Sequence, residues 1–188
     1  MVITLLGQGT IRIQSGNYSI VVDPENERVK PDVLLRTETP HPLATPGNNE
    51  VSGAGEYEIS GISIRGVQLP KESKTDAVKT AYRVVAEDIA LGFMGGITSV
   101  PDAATLEALG DIEILFIPAG GKPYLDGEAA AKLAKQIEPN IVIPLFAKRP
   151  KEFLDEMGQT AAPQEKLTIK KKDLVESGDG MRVLCLES

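Results

Sequence analysis

Two of the side-chain types best equipped for catalysis occur once each in this sequence, histidine and cysteine, and His41 is the single imidazole of the whole chain of 188 residues. With Glu38 and Glu56 it offers one imidazole and two carboxylates, an oxygen-rich set suited to Mn²⁺ or Mg²⁺, or His41 alone could act as a general base. Against this, prolines stand on both sides of His41 in Thr39-Pro40-His41-Pro42, which predicts an extended or turn backbone and an exposed loop histidine. Cys185 with His41 would have the types of a nucleophile and its base, but Cys185 lies inside an apolar run, residues 181–186, where a thiol is inert. Gly120-Gly121-Lys122 could form a small anion nest backed by the Lys122 ammonium, and the competing reading is a tight turn. Gly53-Ala54-Gly55 fails as a dinucleotide fingerprint, because Tyr57-Glu58-Ile59 continues as a strand and no helix follows. There is no Gly-x-Ser-x-Gly elbow, phosphate loop or cysteine pair.

The elements that must position these residues begin as strands. Residues 2–6, 10–14 and 18–22 read as three, with Ile11 and Ile13 on one face and Ser15-Gly16-Asn17 as a hairpin turn. Asp23-Pro24 closes the third, since proline cannot donate to a ladder. Further strands are expected at 33–35, 57–59, from 62 onward, 81–85 and 89–93, with loops at 39–42 and 45–49. Helices come later. Asp102 and Gly110 bracket a short one. Asp126 caps a stronger one, with an apolar stripe of Ala129, Ala130, Leu133, Ala134 and Ile137, which Pro139 stops. Residues 112–117 and 141–144 flank it as continuous apolar runs, the pattern of strands buried on both faces, so the three make a crossover unit. A third helix is expected at 150–157 and a closing strand at 181–186.

Composition narrows the function classes. The chain is 41% hydrophobic, enough for one sizeable core, and we expect a single domain over 1–188. A net charge of −7, no Trp, four Phe and four Tyr disfavour nucleic acid and acidic membrane surfaces as partners. Lys170-Lys171-Lys172, followed at once by Asp173, is expected to be a solvated strand end. No apolar stretch approaches the roughly 18 residues of a membrane span, and no basic leader precedes the first strand, so a soluble cytoplasmic protein is expected. The single cysteine excludes an intrachain disulfide and fits a reducing compartment.

The ordered phrases ITLLGQGTIRIQSGNYSIVVDP, KPDVLLRTETP, GAGEYEISGISIRG and, most specifically, GDIEILFIPAGG with EPNIVIPLF resemble the metallo-β-lactamase superfamily. They are most similar to its small stand-alone hydrolase-like members, relatives of the ascorbate-phosphate lactonase group. The resemblance implies an α/β (α+β) fold, a four-layer αββα sandwich, with a shallow cleft at the strand ends. In active members that cleft holds divalent metal, which lowers the pKa of bound water and polarises the substrate. Carried onto this chain, the histidine-rich ligand loop falls on Glu38 to Leu43, with Glu38 in the first histidine's place and His41 off the expected spacing. A later histidine falls near Gln68 to Pro70, the bridging aspartate at Gly96 and the last histidine at Phe146. Asp23, a supporting partner of a metal ligand in such sites, keeps its place.

Together with the residues singled out by type, the candidate cleft residues are Gln8, Asp23, Glu38, His41, Glu56, Gly96, Gly121, Lys122 and Phe146. Because the ligand positions are altered, the expectation is no cofactor, the inherited Zn/Mn site being lost, and a non-catalytic binding or interaction module for a small molecule or a protein. Two alternatives are an ester, lactone or phosphodiester hydrolase that is metal-independent or uses the carboxylate-rich set, and a homo-oligomer with Phe146 at its interface.

Overall fold

The computed structural model describes residues 1–26, 30–42, 45–147, 150–176 and 180–188. Of the expected ligand loop, Leu43 lies outside the described residues.

The N-terminal strands β1 (Val2–Leu5), β2 (Ile11–Ser15) and β3 (Tyr18–Val22) form an antiparallel meander. Its register follows the alternation of the sequence: Ile13 stands opposite both Ile3 and Ile20, and all three are fully buried, while Arg12 points out. Ser15 pairs with Tyr18 across a two-residue turn, where Gly16 takes φ +55°. The strand β4 (Val33–Arg36) then lies parallel to β3. Next come β5 (Glu38–Pro40) and β6 (Glu50–Ser52), the latter parallel to β4.

The strands β7 (Gly55–Ile59), β8 (Ile62–Gln68), β9 (Ala77–Ala86) and β10 (Ile89–Phe93) form an antiparallel array. After α1 (Ala103–Leu109), the order becomes β11 (Ile114–Pro118), α2 (Gly127–Ile137), β12 (Ile141–Leu145) and α3 (Lys151–Met157). The chain finishes with β13 (Pro163–Gln164), β14 (Lys166–Thr168), α4 (Lys171–Glu176), β15 (Arg182–Val183) and β16 (Cys185–Leu186). Among the described residues, one sheet runs β14-β1-β2-β3-β4-β6 and the other β15-β12-β11-β10-β9-β8-β7, with β5 paired to β9. The last stretch of chain thus supplies an edge strand to each sheet.

The parallel crossover β11–α2–β12 is the part where both strand faces are covered. Ile114 and Phe116 enter the core between the two sheets, whereas Leu115 and Ile117 enter a second core under the helices, so no position in β11 can be polar. Phe116 stacks on Phe93 of β10 at 4.8 Å in the inter-sheet core. The helix starts are set locally. Asp102 accepts from the Thr105 amide and Asp126 from the Ala129 amide, each relieving one unpaired donor of a first turn. The result is an α/β sandwich of two packed sheets. Helices α1 and α2 pack on the second sheet, α3 packs on α2, and Leu174 of α4 reaches the core between the sheets.

Three local expectations need correction. Residues 39–40 are not loop: Thr39 pairs with Val78, making β5 a strand whose Pro40 stands at its end, where a missing donor does least harm. The stretch 181–186 is two strands. Arg182 and Val183 pair with β12, and Cys185 and Leu186 pair with β13 instead. Lys170 to Lys172 is a helix start and not a strand end. The Asp173 carboxylate accepts from the Lys170 amide at 2.8 Å, and Lys171 pairs with Glu113 at 2.5 Å.

Candidate functional site

The ends of β3, β4, β9 and β12 open onto one cleft of about 520 Å³, closed on another side by the loop after β10 and the turn after β11. Asp23 ends β3 with φ +47°, a left-handed conformation that Asp tolerates better than most residues. Its carboxylate accepts from the Thr37 amide at 2.7 Å and from the Thr37 hydroxyl, and so ties β3 to the residue that follows β4. Burial pushes the Asp23 carboxyl above its ordinary range, against the Thr37 hydrogen bonds and the Arg36 charge, which pull it down.

Opposite lies an ionic cluster. Glu38 of β5 is the direct cross-strand partner of Lys79 of β9, so both side chains leave the same face. The Lys79 ammonium donates to the Gly96 carbonyl at 2.7 Å and lies 3.5 Å from Glu72 and 3.8 Å from Glu38. Glu72 is nearly inaccessible, its side chain 5% exposed. It accepts from the Thr98 amide at 3.0 Å, the Thr98 hydroxyl at 3.0 Å and the Ser99 hydroxyl at 2.5 Å. Burial raises its pKa, but the Ser99 and Thr98 hydrogen bonds and the Lys79 charge outweigh burial and leave the carboxyl below its usual range.

A depressed folded-state pKa gives stability that is present above the unfolded pKa and lost as pH falls through the folded one. Glu72→Gln is therefore expected to cost about 1–2 kcal/mol at neutral pH, with the gap to the parent closing as pH drops below the ordinary glutamate range. Urea unfolding of both proteins at neutral and acid pH checks this, and a gap independent of pH would show that the Glu72 charge contributes nothing.

An aromatic pair forms the third wall. Tyr124 and Phe146 stack at 4.2 Å with planes 29° apart. Glycines make room for them: a Cβ on Gly9 would fall 2.2 Å from the Phe146 ring, and one on Gly96 would fall 2.9 Å from the Tyr124 ring. Phe146 itself takes φ +56°, costly for a bulky residue, and its amide donates to the Gln8 carbonyl at 2.7 Å.

Four of the residues singled out from the sequence, Asp23, Glu38, Gly96 and Phe146, line this one cleft. Gln8 lies behind Phe146, on a neighbouring cavity of about 270 Å³ that Phe146 also lines. His41 is exposed beyond the end of β5, its amide donating to the Asp76 carbonyl at 2.9 Å. Glu56 is away on β7, paired with Arg65 at 2.9 Å on the surface. The structure does not bring Glu38, His41 and Glu56 together, nor His41 with Cys185, which is buried beside β13 with its thiol pushed up by burial. At Gly121 the φ is +78° and its amide is taken by the Leu125 carbonyl at 2.9 Å, the arrangement of a tight turn carrying Lys122. Sequence reasoning missed Lys79, Glu72 and Tyr124. Lys79 carried a usable signal, a cation inside an otherwise β-forming stretch.

The side chains in place do not fit a dinuclear metal centre. Gly96 and Phe146 offer no side-chain lone pair, and an ammonium already sits among the cleft carboxylates. Among the described residues no group of three or more His, Cys, Asp and Glu side chains converges as metal ligands.

The family model of the β-lactamase superfamily domain matches residues 2–146, and the chain belongs to that superfamily. No curated protein matches the chain. Among solved structures it is similar to a protein of Thermotoga maritima assigned as a Zn-dependent hydrolase of the metallo-β-lactamase superfamily, at 20% identity and TM-score 0.80, over 98% of this chain and 97% of the other. It is also similar to a protein of Parabacteroides distasonis assigned as a metal-dependent hydrolase, at 19% identity and TM-score 0.63, over 96% and 91%. A third likeness is to the diiron β-hydroxylase CmlA of Streptomyces venezuelae, at 11% identity and TM-score 0.59, over 98% of this chain and 52% of that one. These likenesses establish the metallo-β-lactamase fold.

They also correct the expectation of no cofactor with a lost Zn/Mn site. Proteins sharing the fold over nearly the whole chain are described as Zn-dependent, metal-dependent or diiron, and the misfit of the cleft side chains does not establish a loss.

Proposed function

We propose that this protein is a non-catalytic binding or interaction module on a hydrolase scaffold, with the cleft between Asp23, Lys79 and Phe146 as its recognition site. The observation that carries this reading is that the two buried carboxylates at the cleft are already engaged by the chain itself: Asp23 by Thr37, Glu72 by Thr98 and Ser99. A general base needs an uncommitted lone pair facing the substrate, and here Asp23 is held by Thr37 while the oxygen of Glu72 that faces the cleft is met by the Lys79 ammonium. The volume of about 520 Å³ suits a small molecule, and the mixture of Lys79, Glu38 and the Tyr124 ring suits a polar one with a flat or apolar part. The excess of acidic residues supports a partner that is neither nucleic acid nor an acidic membrane surface. No described helix is long and apolar enough to cross a membrane, and the unpaired Cys185 favours a cytoplasmic setting.

The hydrolase names of the structural neighbours dictate the test. An ester, a lactone and a phosphodiester are offered to the protein with Zn²⁺ or Mn²⁺ supplied. The expected result is no turnover above that of Glu38→Gln or Glu72→Gln. Metal-supplemented turnover that falls tenfold or more in Glu38→Gln would sink the non-catalytic reading. Binding is read separately, as a rise in Tm with small polar molecules that is lost in Phe146→Asp.

A further inference from the structure

The oxygen atoms at the Glu38 side of the cleft converge on a cation that the chain supplies. Lys79 reaches this point from the strand facing Glu38, and its side chain is only 16% exposed. An ammonium has three donors and no acceptor, and here it faces three oxygen-bearing groups: the Gly96 carbonyl at 2.7 Å, Glu72 at 3.5 Å and Glu38 at 3.8 Å. The cradle is held from behind. Glu72 is fixed by Thr98 and Ser99, and Glu38 by the backbone pairing of β5 with β9. The Gly96 carbonyl belongs to the loop whose glycines admit Thr37 and Tyr124.

We infer that Lys79 is a tethered cation of the cleft, and that withdrawing its ammonium would turn Glu38, Glu72 and the Gly96 carbonyl into a site for a hard divalent cation. Carboxylate and carbonyl oxygens are the donors such ions prefer, and removing the ammonium that faces all three leaves two anions around its vacated seat. In the native chain Lys79 balances those anions, so the cleft admits ligands with anionic or hydroxyl groups that two bare carboxylates would repel. This role of Lys79 is independent of which ligand the cleft takes.

Mn²⁺ alone, titrated calorimetrically into the full chain, tests it. Lys79→Ala is expected to bind about one Mn²⁺ at least tenfold more tightly than the parent, and adding Glu72→Gln to the same chain should cancel the gain. Methylammonium at millimolar concentration should compete with Mn²⁺ in Lys79→Ala by refilling the cradle. Three results would overturn the inference: a folded Lys79→Ala with no gain in affinity, a parent that binds Mn²⁺ as tightly as the variant, or a gain that survives Glu72→Gln. If Lys79→Ala does not fold, Lys79→Gln removes the charge while keeping bulk, and the same outcomes apply.

Discussion

Gly120→Ala is expected to destabilise the protein by about 3 kcal/mol and to dislodge Phe146 from the cleft wall. A Cβ at Gly120 would lie 1.9 Å from the Phe146 carbonyl oxygen and 2.8 Å from its carbonyl carbon. Those are backbone atoms, and they cannot swing aside as a side-chain tip can. The neighbouring main chain is pinned on both sides, by Ala119 donating to the Leu145 carbonyl and by Phe146 donating to that of Gln8. Relief therefore needs β11 and β12 to part at their carboxyl ends. Gly121→Ala is the control: φ is +78° but nothing lies within 4 Å of the added carbon, so the cost is about 1 kcal/mol of backbone strain. Urea unfolding of both variants separates the two effects, and equal losses would mean that the close approach to Phe146 contributes nothing.

Phe116→Ala is expected to cost about 3–5 kcal/mol. Phe116 is fully buried at the centre of β11 and stacks on Phe93, with Ile143 as its partner on β12. Its neighbours in the inter-sheet core, among them Phe93, Ile114 and Ile143, are themselves fully buried strand residues. The three strands concerned, β10, β11 and β12, lead directly into Gly96, Tyr124 and Phe146. The cavity should therefore loosen the cleft as well as the core, seen as faster proteolysis and a weakened ligand-induced rise in Tm. A loss below about 1.5 kcal/mol would show that the two sheets repack around the gap.

Much of the scaffold was legible because its signals are local. Ile11 and Ile13 alternate with polar residues, Asp102 and Asp126 precede helix-forming stretches, and the apolar run over β11 admits no polar face. What escaped depends on partners distant in sequence. Glu38 to Pro40 becomes a strand only because β9 is there to pair with it, and Cys185 leaves the path of Val183 because β13 offers a different edge. The same division holds for the cleft. The resemblance indicated Asp23, Glu38, Gly96 and Phe146, which end strands or begin the loops after them and line one cavity. His41 fell inside the loop the resemblance marked but off its spacing, and Glu56 was chosen by residue type, which carries no position; both lie elsewhere. Glu72 and Tyr124 reach the cleft that Lys79 of β9 also lines through loops whose course no local pattern encodes.

The two sheet edges supplied by the end of the chain set an order on biosynthesis. β1 is made well before its outer neighbour β14, and β12 waits for β15. At about 5–20 residues per second, some 10–30 s separate the making of β1 from that of β14. For that interval the nascent chain shows an open row of amides and carbonyls to any other strand that reaches it. A ribosome that stops before β14 releases a product with both rows still open, an aggregation-prone species.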